Sequence, residues 1–276
     1  MVIKKNDNDT DNPVKYQYIK QHIAPLKADF ADEIVLSAYS TWGINHDIII
    51  KQNGAVLYRG FNSNNKLEYL TANISLDKFI SIEQGFAKAD FLRLKHDYST
   101  NGADGSEVSI SFVKDGKIIK SIHDYERSGP FELVWAYLPL EYLHEHLKFK
   151  PVDGKFLSPD VQLPFFEKGS DRGFINSSAG FYLLSLIRSG KLTNKKFHPE
   201  YRLKFYKSDN LLKMETDGQI YQANWEDGGQ TSYDIGFNFI NNNQDKIGFI
   251  KNLATGQIKF PPPLRKYSHP KKPNHQ

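Results

Sequence analysis

Three histidine–aspartate neighbours punctuate the first half of the chain: His46-Asp47, His96-Asp97 and His123-Asp124. An adjacent imidazole and carboxylate can chelate a metal from a loop or helix, as in phosphohydrolases. Two of these pairs fall in or beside expected strands, where neighbouring side chains point to opposite faces. Joint chelation is then hard to arrange, and polar strand-end residues are the simpler reading. Convergence of all three imidazoles would overturn it. Glu141, His144, Glu145 and His146 form a second cluster. Zinc proteases set two histidines four apart on one helix face, with a glutamate between them. His144 and His146 are two apart, on nearly opposite sides of a helix. An exposed helix end, with histidines near the C-terminal dipole, accounts for them. No metal ligand set and no cofactor is expected.

Other chemistries are excluded more directly. The chain has no cysteine, so it carries no thiol nucleophile, disulfide or thiolate metal site. Gly102, Gly105 and Gly116 do not have phosphate-loop spacing, and no G-x-S-x-G elbow is present. Glu226, Asp227 and Asp234, beside Trp225 and Tyr233, could line a sugar groove. A polar turn between strands explains the carboxylates at least as well. Trp42, next to Gly43, has the character of a partner anchor, or of a plug for the domain edge. Arg265 and Lys266 lie in a basic, proline-rich tail, PPPLRKYSHPKKPNHQ. That tail is a solvated extension or a contact for an anionic partner. Tyr267 alone interleaves it, so nucleic acid is not an expected partner. The binding candidates are Trp42, Trp225, Tyr233, Arg265 and Lys266.

These residues need a frame. The 276 residues are 39% hydrophobic and 13% aromatic, enough for one large core or two ordinary ones. The net charge of +4 is a mild cationic excess that identifies no partner. No apolar run approaches the roughly 18 residues that span a bilayer. The opening MVIKKNDNDTDNP lacks the apolar stretch of a signal peptide. As written the chain reads as cytoplasmic; with a leader removed, it would belong to the envelope or periplasm.

Residues 1–32 read as a polar lead-in with a short packing segment. Glu33–Tyr39 is the first expected strand. His46–Gly60 follows as a hairpin, with Asn53-Gly54 read as a two-residue type I′ turn. That register sets Ile50 against Leu57 and Ile48 against Arg59. It places Ile48, Ile50, Ala55 and Leu57 on one face, and Ile49, Val56 and Tyr58 on the other. Leu67–Asn73 is another strand. Ser75 caps a helix with a stripe of Leu76, Phe79, Ile80, Glu83, Phe86 and Ala87. Asp115-Gly116 turns a second hairpin, setting Phe112 against Ile119 and Ile110 against Ser121. Ser128-Gly129-Pro130 opens a second helix, with Pro130 in its first turn and Phe131, Leu133, Val134, Tyr137 and Leu138 on its apolar side. Pro139 kinks or ends that helix, and Glu141–Leu147 resumes it. Antiparallel ribbons with two separate helices predict an α+β domain over 33–149, helices on one face.

This order is similar to that of an uncharacterised bacterial family, a domain of unknown function. The resemblance rests on IIIKQNGAVLYRG, the helix ending FLRLKHDY, Asp104, the hairpin KDGKIIKSIHDY and the helix opened by Gly-Pro, and covers about residues 33–147. The family usually carries a Cys-Pro pair just before the first hairpin strand. Here that place is taken by STWGINH (40–46), and any role resting on those cysteines is absent. The resemblance implies a fold and no established activity.

Residues 150–160 read as a connection, with two prolines and a glycine. Beyond it, strand-like runs recur: Val161–Phe166, Phe181–Arg188, Tyr201–Lys207, Leu211–Thr216, Gln219–Trp225, Tyr233–Ile240, Lys246–Lys251 and Gln257–Phe260. Turns are expected at Asp217-Gly218 and Thr255-Gly256. This spacing predicts an all-β domain over 161–260, a barrel or sandwich, followed by the tail at 261–276. With no catalytic constellation in view, the functional expectation is a non-enzymatic binding module whose partner is another protein. The alternative is a hydrolase whose carboxylates and histidines converge only in three dimensions.

Overall fold

The computed structural model describes residues 30–40, 45–61, 66–99, 105–152, 163, 165–205, 211–246 and 248–250. Its first sheet has eight strands: β1 (Glu33–Ser40), β2 (His46–Lys51), β3 (Ala55–Phe61), β4 (Leu67–Asn73), β5 (Asp97–Tyr98), β6 (Ser106–Lys114), β7 (Lys117–Tyr125) and β8 (Lys150–Pro151). Their order is β5-β7-β6-β1-β2-β3-β4-β8, with β5 parallel to β7 and the other pairs antiparallel. Residues 150–151, expected to begin a connection, instead close the sheet's edge as β8, while 153–160 lie outside the described residues.

Helices α1 (Leu76–Lys88) and α2 (Phe131–Glu141) cover one face. Ser75 caps α1 as expected, its Oγ accepting from the Lys78 amide at 3.2 Å. Phe79, Ile82 and Phe86 face the sheet and Ala87 is buried, while Leu76 is exposed rather than part of the stripe. The Glu83 carboxylate is also buried, because Oε1 accepts from the amides of Phe30 and Ala31 at 2.9 and 3.0 Å. Pro130 stands at the N-cap of α2 rather than inside its first turn, and α2 runs through Pro139 to Glu141. A 3-10 turn, Leu143–His146, then continues the chain.

The first hairpin differs from the expected register by one residue. Ile50 pairs with Val56, Ile49 with Leu57 and Ile48 with Tyr58. Gln52, Asn53 and Gly54 form a three-residue loop in which Gly54 takes φ +88° and Asn53 does not turn positive. A type I turn closed by a left-handed glycine makes such a loop. The slip exchanges faces: Ile48, Ile50, Val56 and Tyr58 meet the helices, while Ile49 and Leu57 face the other way. The second turn is the expected one, with positive φ at both Asp115 and Gly116. A bulge between Phe112 and Val113 then shifts the pairing, so that Phe112 opposes Lys120 and Ile110 opposes Ile122.

The second sheet has strands β9 (Phe165–Lys168), β10 (Asp171–Phe174), β11 (Lys191–Leu192), β12 (Tyr201–Lys204), β13 (Leu211–Thr216), β14 (Ile220–Trp225), β15 (Gln230–Asp234) and β16 (Gly248–Ile250). Their order is β11-β15-β14-β13-β12-β9-β10-β16. Two expected strands are corrected. Phe181–Arg188 lies within a 13-residue helix, α3 (Ser177–Ser189), and Tyr233–Ile240 divides between β15 and a short helix, α4 (Phe239–Asn242). The runs expected at Gln257–Phe260 and the Thr255-Gly256 turn lie outside the described residues. Val35, Ile49, Val113 and Ile118 of the first sheet share a core with α3 and with Phe166, Leu203, Met214 and Tyr221 of the second. The helix is therefore apolar on most sides, because sheet packs against it from both directions.

Candidate functional site

Three arrangements could carry function. The first is the seam between the first sheet and α3. On its α3 side, that sheet presents polar groups among the apolar ones. Asp47 and Arg59, opposite each other on β2 and β3, form a buried ion pair. Arg59 Nε and Nη2 lie 2.7 and 2.6 Å from Asp47 Oδ2. The Ser37 hydroxyl donates to Asp47 Oδ1, Tyr39 donates to the same oxygen at 3.0 Å, and Arg59 Nη2 donates to Tyr39 at 2.9 Å. The guanidinium also lies over the Phe181 ring of α3, 4.9 Å from its centroid. Burial alone would pull Arg59 down; Asp47, then Tyr39 and Tyr69, hold it charged and above its ordinary value. Burial, and next the charge of Asp47, keep the Tyr39 hydroxyl protonated. Each polar group meets another here, which is what a buried network requires.

Further along the seam, serines replace charges. Ser111 lies 2.7 Å from Ser121 and 2.8 Å from Ser178, and Ser109 lies 2.8 Å from Ser178, oxygen to oxygen. Asn176 caps α3 by accepting from the Ala179 amide at 2.9 Å, and its amide group donates to Ser121. These hydroxyls receive the start of α3.

The second arrangement is around His123. Its Nδ1 is 2.7 Å from Asp97 Oδ1, and its Nε2 is 3.4 Å from Glu107 Oε1. Burial would lower this imidazole, but Glu107 and Asp97 carry it up to about 9. The other histidine–aspartate pairs serve elsewhere. His96 Nδ1 meets the Ser121 carbonyl at 3.0 Å. His46 packs beside Tyr58 and His144 on the helix side, with its neighbour Asp47 turned to the seam. Asp124 accepts from the Gly129 amide at 2.9 Å and the Tyr137 hydroxyl at 3.0 Å, and its burial raises its pKa. Among the described residues, the three imidazoles do not converge, and no group of three or more histidines and carboxylates is placed to hold a metal ion. His144 Nδ1 turns back to the Glu141 carbonyl at 2.9 Å, while His146 is exposed.

The third arrangement is the outer side of α2. Phe131 is 69% exposed, Trp135 60% and Tyr142 43%. Phe131 and Trp135 share one helix side with half-buried Leu138, and Tyr142, the C-cap residue just past Glu141, continues their spacing at i+11. Phe131 and Trp135 meet edge to face at 5.3 Å. The opposite side, Leu133, Ala136, Tyr137 and Leu140, is fully committed to the core. Phe131 was expected inward and instead belongs to this outer stripe. Leu138, also expected inward, is half-buried; Trp135 and Tyr142 were within reach of the sequence, since 131, 135, 138 and 142 repeat at helical spacing alongside the buried set.

Of the sequence-derived binding candidates, Trp42, Arg265 and Lys266 lie outside the described residues. Trp225 and Tyr233 are half-buried on the inner face of the second sheet, packed against its core. The Trp225 indole donates to Thr231 Oγ1 at 3.1 Å. Asp234 points elsewhere, bonded to Lys195 Nζ at 2.8 Å and to Gln219 Nε2 at 3.0 Å. Lys195, then Gln219 and the Gly236 amide, hold its pKa down at about 2. Asp227 closes its own turn by accepting from the Gly229 amide. The structure thus does not bring these carboxylates and aromatics to one groove. A shallow cavity of about 270 Å³ on the outer face of the second sheet is lined by Glu167, Glu200, Tyr201, Arg202 and Glu215 among others. Ion pairs cross its floor, Arg202 with Glu215 and Lys204 with Glu167. No described helix is long and apolar enough to cross a membrane.

Residues 45–144 match the model of a domain of unknown function, DUF6438. No curated protein and no solved structure matches the chain. The matched stretch contains the first hairpin, His123 and all of α2; α3 lies outside it.

Proposed function

We propose that this protein, with its DUF6438 region at 45–144, is a non-enzymatic module that binds another protein through the outer side of α2. The observation that carries the reading is the exposure of Phe131 and Trp135, continued by the C-cap Tyr142, along one stripe of a helix whose other side is already buried. A surface helix ordinarily turns polar residues outward. Clustered exposed aromatics leave apolar surface in water that a partner would cover favourably, and tryptophan is enriched where partners bind most tightly. We further propose two structural units, an α+β unit at 33–149 and a strand-rich unit at 161–260 into whose core α3 is built. Trp42, Arg265 and Lys266 form no part of this reading.

The test is photo-crosslinking in the native host, with the crosslinker placed at position 135 and, as control, at Leu192. Leu192 is 73% exposed but lies on a two-residue edge strand away from α2. A defined adduct with a different protein, formed from 135 and lost in a Phe131→Ala/Tyr142→Ala background, supports the reading. No adduct from 135, the same adducts from both positions, or an adduct of the chain with itself alone overturns it.

A further inference from the structure

We propose that His123 is a charged clip that closes the edge strand β5 onto the first sheet and, through Glu107, joins it to the first residue of α3. Edge strand and helix start are then released together when the clip opens. β5 has two residues, and beside it the amide of His123 donates to the His96 carbonyl at 2.9 Å. So short a parallel pairing offers little backbone hold, and side chains must supply the rest. Asp97 stands opposite His123 in the ladder, and its Oδ1 takes one ring nitrogen at 2.7 Å. The second ring nitrogen faces Glu107 Oε1 at 3.4 Å, and that same oxygen accepts from Ser177 Oγ at 3.3 Å. A neutral imidazole has one N–H; only the cation can donate to a carboxylate on each side. A hydrogen bond to Asp97 on one nitrogen and Glu107 within ion-pair distance of the other thus suit imidazolium.

The surroundings agree. Asp97 comes from β5 and Glu107 from β6, whereas α3 brings only the uncharged Ser177. Tyr125, two residues along β7, turns its hydroxyl to the Gly105 amide, and Asp124 points to the opposite face, toward Tyr137. His123 is raised to about 9 against its burial, and Asp97 is lowered against its own by His123 and Ser99. A raised imidazole contributes fully below its ordinary value, about 6.5, and its contribution is lost as pH climbs through about 9. A lowered carboxylate contributes above its ordinary value and is lost as pH falls through the lowered one. The clip is thus closed across the neutral range and opens on both sides. It is separate from the α2 surface, because His123 faces α3 while α2 covers the other side of the sheet.

The test is a carbon-detected NMR titration of the full chain, followed at the His123 ring and at the backbone carbonyls of Tyr98 and Ser177. The expected result is a shared midpoint near 9 at all three places. In Asp97→Asn the midpoint should fall by about one unit or more, a tenfold change in acid constant, with Tyr98 and Ser177 following. His123→Gln, which keeps an amide donor, should abolish the alkaline transition at both carbonyls and leave the other chemical shifts of the fold in place. A His123 midpoint at the ordinary imidazole value overturns the proposal. So does a Tyr98 transition that Ser177 does not share.

Discussion

Replacing Arg59 by methionine removes one half of an ion pair whose side chains are 4% and 2% exposed. The stem volume is kept, but Asp47 stays buried with Ser37 and Tyr39 as its donors. Losing one partner of a buried pair costs about 3–5 kcal/mol, because the remaining charge is uncompensated. Losing the guanidinium over Phe181 adds about 1 kcal/mol. These contributions overlap, so the expected loss is about 4 kcal/mol, a fall in melting temperature of about 10 °C for a chain of this size. Urea unfolding monitored by circular dichroism measures it, with an unchanged m-value showing that the unfolded surface is the same. Asp47→Leu added to Arg59→Met should recover most of the loss, since an apolar pair of similar volume replaces the ionic one. A single-variant cost under about 1 kcal/mol is the value for a solvated surface pair. That result would refute the argument that α3 seals Asp47 and Arg59 from water.

Other consequences concern single contacts. Gly54→Ala should cost about 1–2 kcal/mol or more, read by the same unfolding assay. At φ +88°, an added Cβ would also stand 2.4 Å from the Ile74 carbonyl oxygen, which is backbone and cannot step aside. Glu83→Ala strips the acceptor from two amides, one of them on fully buried Ala31, and should cost about 2–3 kcal/mol. Glu83→Gln keeps an oxygen acceptor and should cost distinctly less. Equal losses in the two Glu83 variants would show that charge, not acceptance, is what matters there.

The sequence made the front half readable because its signals are local. Ser75 caps a helix three residues before the amide it accepts from, and Asp115-Gly116 closes a turn between residues already adjacent. The slip at Gly54 shows the limit: Asn-Gly fits a two-residue and a three-residue loop, and what separates them is which hairpin face the helices cover. Helix α3 reads as a strand in the sequence for a related reason. Phe181, Tyr182, Leu183, Leu184 and Ile187 are all buried, because sheets flank the helix. A helix buried all round loses the 3.6-residue alternation that identifies it, and a short apolar run then looks like a strand. The local clue was Asn176, a good N-cap three residues before the amide it accepts from. The Asp47–Arg59 pair follows only from the three-residue loop, since the two-residue register sets Ile48 against Arg59; the contacts of Ser109 and Ser111 with Ser178 had no sequence signal, since partners up to 69 residues apart meet only after folding. The stripe on α2 does not stand out in the sequence, because its residues are apolar and apolar helix positions are ordinarily assigned inward.

Affinity for the partner captured from position 135 tests the main claim most directly. Isothermal titration should show Trp135→Ala weakening the complex by about 2 kcal/mol, roughly 30-fold, as for a buried tryptophan anchor. Leu192→Ala should leave affinity unchanged, and the unfolding midpoints of both variants should match that of the parent chain. Equal affinities for the parent and Trp135→Ala would contradict the assignment of α2 as the binding surface.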